Sequence, residues 1–341
     1  MLETIWFAIW GVAWAVYFAL DGFDLGLGAL MPFLAKSETD KRIIVNAMGP
    51  FWDGNEVWLV TAGGVTFAAF PRAYAVMFSG LYTPLMLILF ALILRGVAFE
   101  FRSKVDSAKW RSVWDFCLVF GSFVPAVLLG VAFANIFEGL PLDSDGLFHG
   151  GLFSLLNPYG LLGGVLFVSA FGLHGANWLA TRTEGTLKSR AELAAKVLWP
   201  AVFALAVAFL AFTWFATPLW QNLLGRPYLF ALPLLAVGGL IATRLFAAGG
   251  APWRAWFGSA AFIACAVLFG VAGLYPNLLP SNLDPGASIT AFNSCSSQLT
   301  LEIMLGVVAC VLPFVIGYQI WVYRKFRDVL TEETMRDGMF Y

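Results

Sequence analysis

The chain has 341 residues, of which 60% are hydrophobic and only 12% are charged, and its mean hydropathy is +0.80. A soluble domain carries about twice that charged fraction, so the composition excludes a soluble enzyme and indicates a bundle of membrane helices. The formal net charge of -1 leaves no basic footprint for binding nucleic acid.

The hydropathy pattern predicts nine membrane spans, each with roughly 20 predominantly apolar residues. In chain order they are Ile5–Leu34, Phe51–Phe70, Tyr74–Phe99, Val113–Phe137, Pro158–Ala180, Val197–Thr217, Tyr228–Phe246, Ala255–Tyr275 and Leu299–Tyr323. The start, MLETIWFAIW, lacks a basic region and a small-residue cleavage site, so it is interpreted as the start of the first span. The second span has polar first turns, and a re-entrant interpretation of it would leave eight spans.

The basic residues favour nine spans. With nine, 18 of the 20 Lys and Arg residues fall on one side of the membrane, Arg336 among them, and the other side receives only Arg72 and Arg226. The positive-inside rule assigns the basic side to the cytoplasm, which places the N-terminus outside and the C-terminus inside. No loop is long enough for a globular domain, so residues 1–341 are predicted to form one all-α transmembrane domain. Nine helices are compatible with two four-helix bundles and one peripheral helix.

Two pairs of carboxylates lie within the first sixty residues. Asp21 and Asp24 lie in the first span, and Asp53 and Glu56 lie in the first turns of the second. The i, i+3 spacing places both acids of a pair on one helix face. Acids within membrane segments are costly and usually mark a proton or ion path, or the cation of a partner. With the predicted orientation all four occupy the cytoplasmic half, which favours a proton path.

Each acid also has a simpler interpretation. Asp21 and Asp24 could pair with a Lys or Arg of a partner chain. Asp53 follows Pro50 and could cap the helix, where an acid is favoured by the helix dipole. Glu56 could point into an interface.

Other polar and aromatic residues in or near the spans have structural interpretations. Trp52 and Trp58 flank the second acid pair and fit an aromatic belt at the membrane interface. Arg95 and Glu100, near the inner end of the third span, are interpreted as an interfacial pair or as side chains that snorkel to the interface. Glu302 could start the ninth helix or contact a partner, and the sequence does not separate these alternatives.

Ligands for a redox centre are scarce. His149 lies in an outer loop and His174 in the fifth span, so the chain cannot supply two intramembrane histidines to a haem. A packed, hydrogen-bonded His174 is favoured over a single haem ligand. The four cysteines form no metal-binding spacing, and no phosphate-binding loop or dinucleotide fingerprint occurs. The sequence therefore predicts no metal site and no catalytic residue of its own.

An ordered set of motifs carries a family resemblance. The segments ALDGFDLGLG, NAMGPFWDGNEVWLVTAGG, FAAFP, FRSK, WDFCLVFGSFVPA and SSQLTL span most of the chain, from Asp21 to about Leu301. Together they resemble subunit II of the cytochrome bd-type quinol oxidases, and FWDGNEVWL is the most specific of them.

The resemblance implies a function in a complex. Enzymes of this family are terminal oxidases of bacterial respiration in the cytoplasmic membrane, which oxidise quinol and reduce dioxygen to water with protons from the cytoplasm. Subunit I holds two haems b and one haem d, and subunit II is a haem-free partner. The resemblance also implies proton and oxygen routes to the haems, and it allows for a bound structural quinone and a small accessory subunit.

The resemblance ranks the candidate residues. Asp53, in the WDGN motif, becomes the leading proton-path candidate and is expected at the interface with subunit I. Asp21 and Asp24 match the DGFD motif and come next. Glu56 ranks last because relatives carry an amide at its position. Trp58 matches a tryptophan near the oxygen passage, with Trp52 as a second oxygen-path or interface candidate.

Two other functions were weighed against the oxidase subunit. The acids alone would suit a proton- or cation-coupled transporter, but no paired-repeat signature is evident. A membrane cytochrome that binds two haems is opposed by the histidine count.

Overall fold

The computed structural model describes residues 1–331 and residue 333, and Arg336 of the charge pattern lies outside them. The regular elements of the described chain are helices apart from two short strands, Asn277–Leu279 and Ile289–Thr290, which pair antiparallel. Its α-helices in chain order are α1 (Leu2–Leu34), α2 (Glu38–Met48), α3 (Trp52–Ala69), α4 (Pro71–Gly80), α5 (Tyr82–Phe101), α6 (Ala108–Glu138), α7 (Leu152–Leu155), α8 (Pro158–Arg182), α9 (Gly185–Ala216), α10 (Leu219–Gly225), α11 (Ala231–Ala248), α12 (Pro252–Leu274) and α13 (Gln298–Lys325).

Eight helical segments within the described residues are long and apolar enough to cross a membrane. They are α1, α5, α6, α8, α9, α11 with the 3-10 turn before it, α12 and α13. The second predicted span forms the 18-residue α3, which is not among the eight. Three polar residues in the first turns of α3 (Asp53, Asn55 and Glu56) lower its apolar character.

The third predicted span, Tyr74–Phe99, is wrong as a single helix. The chain forms α4 up to Gly80, turns at Leu81 and begins α5 at Tyr82. Pro84 explains the break, because it has no N–H to donate to the carbonyl of Gly80 and its ring clashes with that carbonyl in a continuous helix. Both sides of the break are apolar, so hydropathy did not show it.

The long helices form two groups that share a broad seam. In the first group α1 packs on α3 and α6, and α5 packs on α6. In the second group α8 packs on α9 and α12, and α11 packs on α12. The seam joins α1 and α6 to α8, while α13 lies on the outside against α1 and α3. Most of α13 is exposed, since only 6% of an apolar 18-residue stretch of this helix is buried.

Glycines bring backbones into contact along this seam. A Cβ added at Gly26 of α1 would lie 1.7 Å from the carbonyl oxygen of Phe171 of α8. A Cβ added at Gly130 of α6 would lie 2.4 Å from the carbonyl oxygen of Gly163 of α8. A side chain at either position would therefore push the two helix groups apart.

Ion pairs connect the Lys- and Arg-rich segments on one side of the molecule, which is called the basic side below. The short helix α2 begins with a capping box of Ser37 and Asp40. Arg190, from the start of α9, reaches Asp40 at 2.9 Å. Arg102 and Lys41 both bind Asp115, at 2.6 and 2.8 Å. These contacts place α2, the start of α6 and the start of α9 on the same side.

Candidate functional site

Asp21 of α1 forms a buried ion pair with Arg95 of α5. The Nη2 atom of Arg95 lies 2.5 Å from Oδ1 of Asp21, Nη1 lies 3.4 Å from Oδ2, and both side chains have 0% relative exposure. The interpretation of Arg95 as a snorkelling or interfacial residue is therefore wrong. The cation that pairs with Asp21 therefore belongs to this chain and not to a partner chain.

Asp24 is equally buried, but among the described residues it forms no direct ion pair, and Arg95 acts on it electrostatically from a greater distance. Its Oδ2 atom accepts a hydrogen bond from Nδ2 of Asn55 at 2.8 Å, and its exposure is 0%. Its Oδ1 atom accepts no hydrogen bond from the described residues. The two acids of the first pair thus differ, since Asp21 is neutralised by Arg95 and Asp24 is held by an amide.

Asn55 links three helices. Its Nδ2 donates to Asp24 of α1 and, at 3.3 Å, to the carbonyl of Leu20. Its Oδ1 accepts from Nε2 of Gln319 at 3.0 Å and from the hydroxyl of Tyr323 at 2.9 Å, both on α13. Two donors at the oxygen fix the orientation of the amide, so the NH₂ group must face Asp24.

Asp53 is the exposed member of the four acids. Its Oδ1 accepts from the backbone N–H of the next residue, Gly54, at 2.7 Å. The N-cap of α3 is Phe51, so Asp53 is not the capping residue, but it lies in the first turn of α3, where the helix dipole favours an acid.

Glu56 lies one turn further along α3 and is half-buried. Its carboxylate interacts electrostatically with Arg95 and Asp21 on the inner side, and with Asp53 on the outer side. The four acids therefore form a series from an exposed carboxylate at Asp53 to buried carboxylates at Asp21 and Asp24.

A groove of about 860 Å³ runs between α1, α3 and α13. Its walls are mostly apolar, and its polar lining includes Asp53, Trp58, Gln319 and Tyr323. Nε1 of Trp58 donates to Oε1 of Gln319 at 3.0 Å. Trp58 thus forms part of the same polar network as Asn55.

Trp52 occupies a different place. Its ring stacks on Phe99 of α5 with centroids 5.2 Å apart and an angle of 8° between the planes, away from the groove. The structure therefore does not place Trp52 and Trp58 at one common site.

His174 is a packed histidine. Its Nδ1 contacts the hydroxyl of Ser259 at 2.7 Å and its Nε2 contacts the carbonyl of Ala19 at 2.9 Å, with 0% exposure. Both nitrogens are engaged, so the residue does not fit the role of an axial haem ligand. Within the described residues no group of three or more His, Cys, Asp or Glu side chains could hold a metal ion.

Comparison with known proteins decides the family. The model of the family described as cytochrome bd terminal oxidase subunit II matches residues 2–326. The cytochrome bd-I ubiquinol oxidase subunit 2 of Escherichia coli K12 is 36% identical, with 98% of this chain and 96% of that protein covered. The cytochrome bd ubiquinol oxidase subunit 2 of Bacillus subtilis is 38% identical, with 96% of each covered.

The chain belongs to the cytochrome bd terminal oxidase subunit II family. The bd oxidase structure from Geobacillus thermodenitrificans has the same fold, with a TM-score of 0.74, 16% identity, and 95% of this chain and 98% of that one covered. The family resemblance of the motifs is confirmed. The chain is a subunit of a respiratory terminal oxidase and a multi-pass protein of the bacterial inner membrane.

Several residues of the site were not predicted from the sequence. The sequence predicts no role for Asn55, Gln319 or Tyr323, and it favours a surface role for Arg95. The signal for Arg95 was available, because a guanidinium within an apolar span calls for a buried carboxylate. No sequence signal pointed to Gln319 or Tyr323, which lie more than 260 positions from Asn55.

Proposed function

We propose that this chain is the haem-free subunit of an oxidase that oxidises quinol and reduces dioxygen to water, and that it carries protons toward the partner subunit. The observation that carries the proton role is the series of carboxylates from exposed Asp53 to buried Asp24. Acids held within a membrane segment are characteristic of proton relays. His174, engaged at both nitrogens, supports placing the haems in the partner.

The topology proposed for this function has nine spans. Helix α3 has 18 residues and a length of about 27 Å, close to the roughly 30 Å of a bilayer core. With α3 as the ninth span, the basic side faces the cytoplasm, the N-terminus lies outside and the C-terminus lies inside. The two helix groups then correspond to two four-helix bundles, with α13 as the peripheral helix.

In the proposed path Asp53 takes up protons near the basic side and Asp24 receives them inside. Asp53 is exposed, and among the described residues its carboxylate accepts a hydrogen bond only from its backbone neighbour, which suits an entry group. Glu56 lies between them but is the weakest of the four proton-path candidates. The Asp21–Arg95 ion pair lies beside the route and stays neutral as a pair. Oδ1 of Asp24 is left for the transferred proton or a water.

The proposed partner is a subunit I that holds two haems b and one haem d. Its contact surface includes the outer face of α3, where Val57, Val60 and Phe67 are 53%, 72% and 61% exposed. The groove beside Trp58 is proposed as part of the oxygen route or as a seat for a structural quinone, since its apolar walls end in polar groups. A small accessory subunit is a further proposed partner.

Purification tests the assignment. This chain, tagged and expressed in its native host, should copurify with a haem-bearing subunit that shows haem d bands and quinol-dependent oxygen consumption. A haem-free chain that transports a solute when reconstituted alone would favour the transporter. Haem ligated by the isolated chain would favour the membrane cytochrome.

The proton role needs a variant that leaves assembly intact. Asp53→Asn should lower quinol-dependent oxygen consumption while haem content stays normal, because the exposed carboxylate contributes little to packing. Asp145→Asn, at an exposed acid in the loop after α6, is the matched control and should leave the rate unchanged. A normal rate in Asp53→Asn would remove Asp53 from the path. Glu56→Gln should have a smaller effect than Asp53→Asn.

A further inference from the structure

The second helix group contains a cleft between α9 and α11. Helix α9 packs along α8 and α11 packs along α12, but α9 and α11 make little contact with each other. The gap between the α8–α9 pair and the α11–α12 pair is open to the outside of the chain, since only 11% and 22% of the apolar 18-residue stretches of α9 and α11 are buried. Two cavities lie in this gap, at different depths.

The cavity at the basic side is polar. It has a volume of about 310 Å³, and its lining includes Lys196 of α9, Arg244 of α11, Glu192 and the buried Asn177. Glu192 already faces Lys188 at 4.0 Å. Lys196 and Arg244 form no ion pair with any of the described residues. The free charge of this cavity is therefore positive.

The cavity deeper in the gap is apolar. Phe203 and Val207 line it two and three turns along α9 from Lys196, and Leu240 and Val237 line it one and two turns along α11 from Arg244. The two cavities thus follow one another along the same pair of helices.

Trp199 marks the boundary between the two cavities. Its Nε1 donates to the carbonyl of Leu240 at 2.7 Å, and the guanidinium of Arg244 lies 5.9 Å from its ring centre. An indole at the depth where polar lining gives way to apolar lining is the position that tryptophan takes at a membrane interface. The cleft is therefore polar at one end and apolar at the other, with Trp199 where the lining changes.

We propose that this cleft binds one anionic phospholipid, with its phosphate between Lys196 and Arg244 and an acyl chain in the apolar cavity between α9 and α11. Basic pockets between membrane helices bind anionic headgroups. The two unpaired cations match a phosphodiester, and the apolar lining that begins at Trp199 matches an acyl chain. The site is separate from the groove at α1, α3 and α13 and from the acid series.

Lipid retention in the intact oxidase complex tests the site. Native mass spectrometry of the purified complex should show bound phosphatidylglycerol, and a Lys196→Gln/Arg244→Gln double variant should lose it. Arg254→Gln is the matched control, because Arg254 is an exposed cation at the start of α12 that does not line the cavity. A Lys196→Arg/Arg244→Lys exchange keeps both charges and should keep the lipid.

A titration gives the size of the effect. The complex, delipidated in detergent, should gain thermal stability on addition of phosphatidylglycerol. The double variant should bind it roughly thirtyfold more weakly, because each basic side chain near the membrane surface contributes roughly fivefold. Equal binding by the double variant, equal stabilisation by phosphatidylethanolamine, or equal stabilisation by inorganic phosphate alone would each overturn the proposal.

Discussion

Arg95 and Asp21 meet in the interior of the first helix group, 74 positions apart in sequence and without exposure to solvent. Each charge neutralises the other in a place where neither could be hydrated. This pair divides the acids of the site by role. Asp21 is hydrogen-bonded to Arg95, whereas Asp24 and Asp53 form no direct ion pair with any of the described residues.

The Asp21–Arg95 pair should be structural. Asp21→Asn removes the carboxylate that is hydrogen-bonded to a buried guanidinium, which is expected to cost about 3–5 kcal/mol and to lower the yield of assembled complex. Removing both charges with Asp21→Asn/Arg95→Met should restore part of that stability, because the buried guanidinium is gone as well, although Glu56 and Asp24 then lose the cation they interact with. Haem content and the thermal midpoint of the purified complex measure both variants. A double variant no more stable than the single one would show that the pair does more than neutralise charge.

Asp24 should behave differently. Since its partner is an amide and not a cation, Asp24→Asn is expected to assemble normally. Its quinol-dependent oxygen consumption should fall by roughly tenfold. This loss is smaller than the roughly hundredfold or greater loss usual when a group that transfers a proton in the reaction itself is removed. Ser259→Ala is the control, because it removes a buried hydrogen bond to His174 outside the acid series and should leave the rate unchanged. A normal rate in Asp24→Asn would limit Asp24 to a packing role.

The loop after α6 should loosen at low pH. His149 contacts Asp143 at 2.6 Å, and this hydrogen bond, with that from the N–H of Leu147, lowers the pKa of Asp143 below its usual value. A lowered pKa means that the stabilisation is present above the ordinary Asp value and is lost as the pH falls through the lowered one. Hydrogen exchange of residues 142–149, corrected for intrinsic rates, should therefore rise in acid. Asp143→Asn should show fast exchange at neutral pH as well, and a loop unaffected by the substitution would contradict this account.

Gly26 should tolerate no side chain. Gly26→Ala places a methyl group against the carbonyl of Phe171, so α1 and α8 must separate, and a loss of about 1–3 kcal/mol or more is expected. The thermal midpoint of the complex should fall accordingly. Gly238→Ala is the matched control, since nothing lies within 4 Å of a Cβ at that position on α11. Equal midpoints for the two variants would show that the seam relaxes freely.

Hydropathy predicted most of the helix boundaries to within a few residues, because the bilayer imposes a length and a composition on every span. It missed the turn at Leu81, where a proline breaks a helix without any change in polarity. It also missed α2, whose capping box Ser37–Asp40 was a readable signal. Local chemistry, not hydropathy, decides such positions.

The acids of the site were predicted, but their partners were not. Asp21, Asp24, Asp53 and Glu56 stand out in an apolar sequence, whereas an amide such as Asn55 does not. The contact between Asn55 and α13 depends on how distant helices pack, which a single sequence does not encode in any local pattern. Arg95 was misassigned because its position near a span end fits snorkelling as well as pairing.

The contact of Gly26 with the backbone of Phe171 also bears on how the molecule can move. A transporter that alternates access rocks one half against the other around its binding site. In this chain the backbones of the two helix groups are in contact at Gly26 and again at Gly130, so no side chains separate the groups at these points of the seam. Backbone contact of this kind favours a fixed subunit of a complex over a transporter. The proton transfer proposed above would then run between side chains held in place by the packed helices.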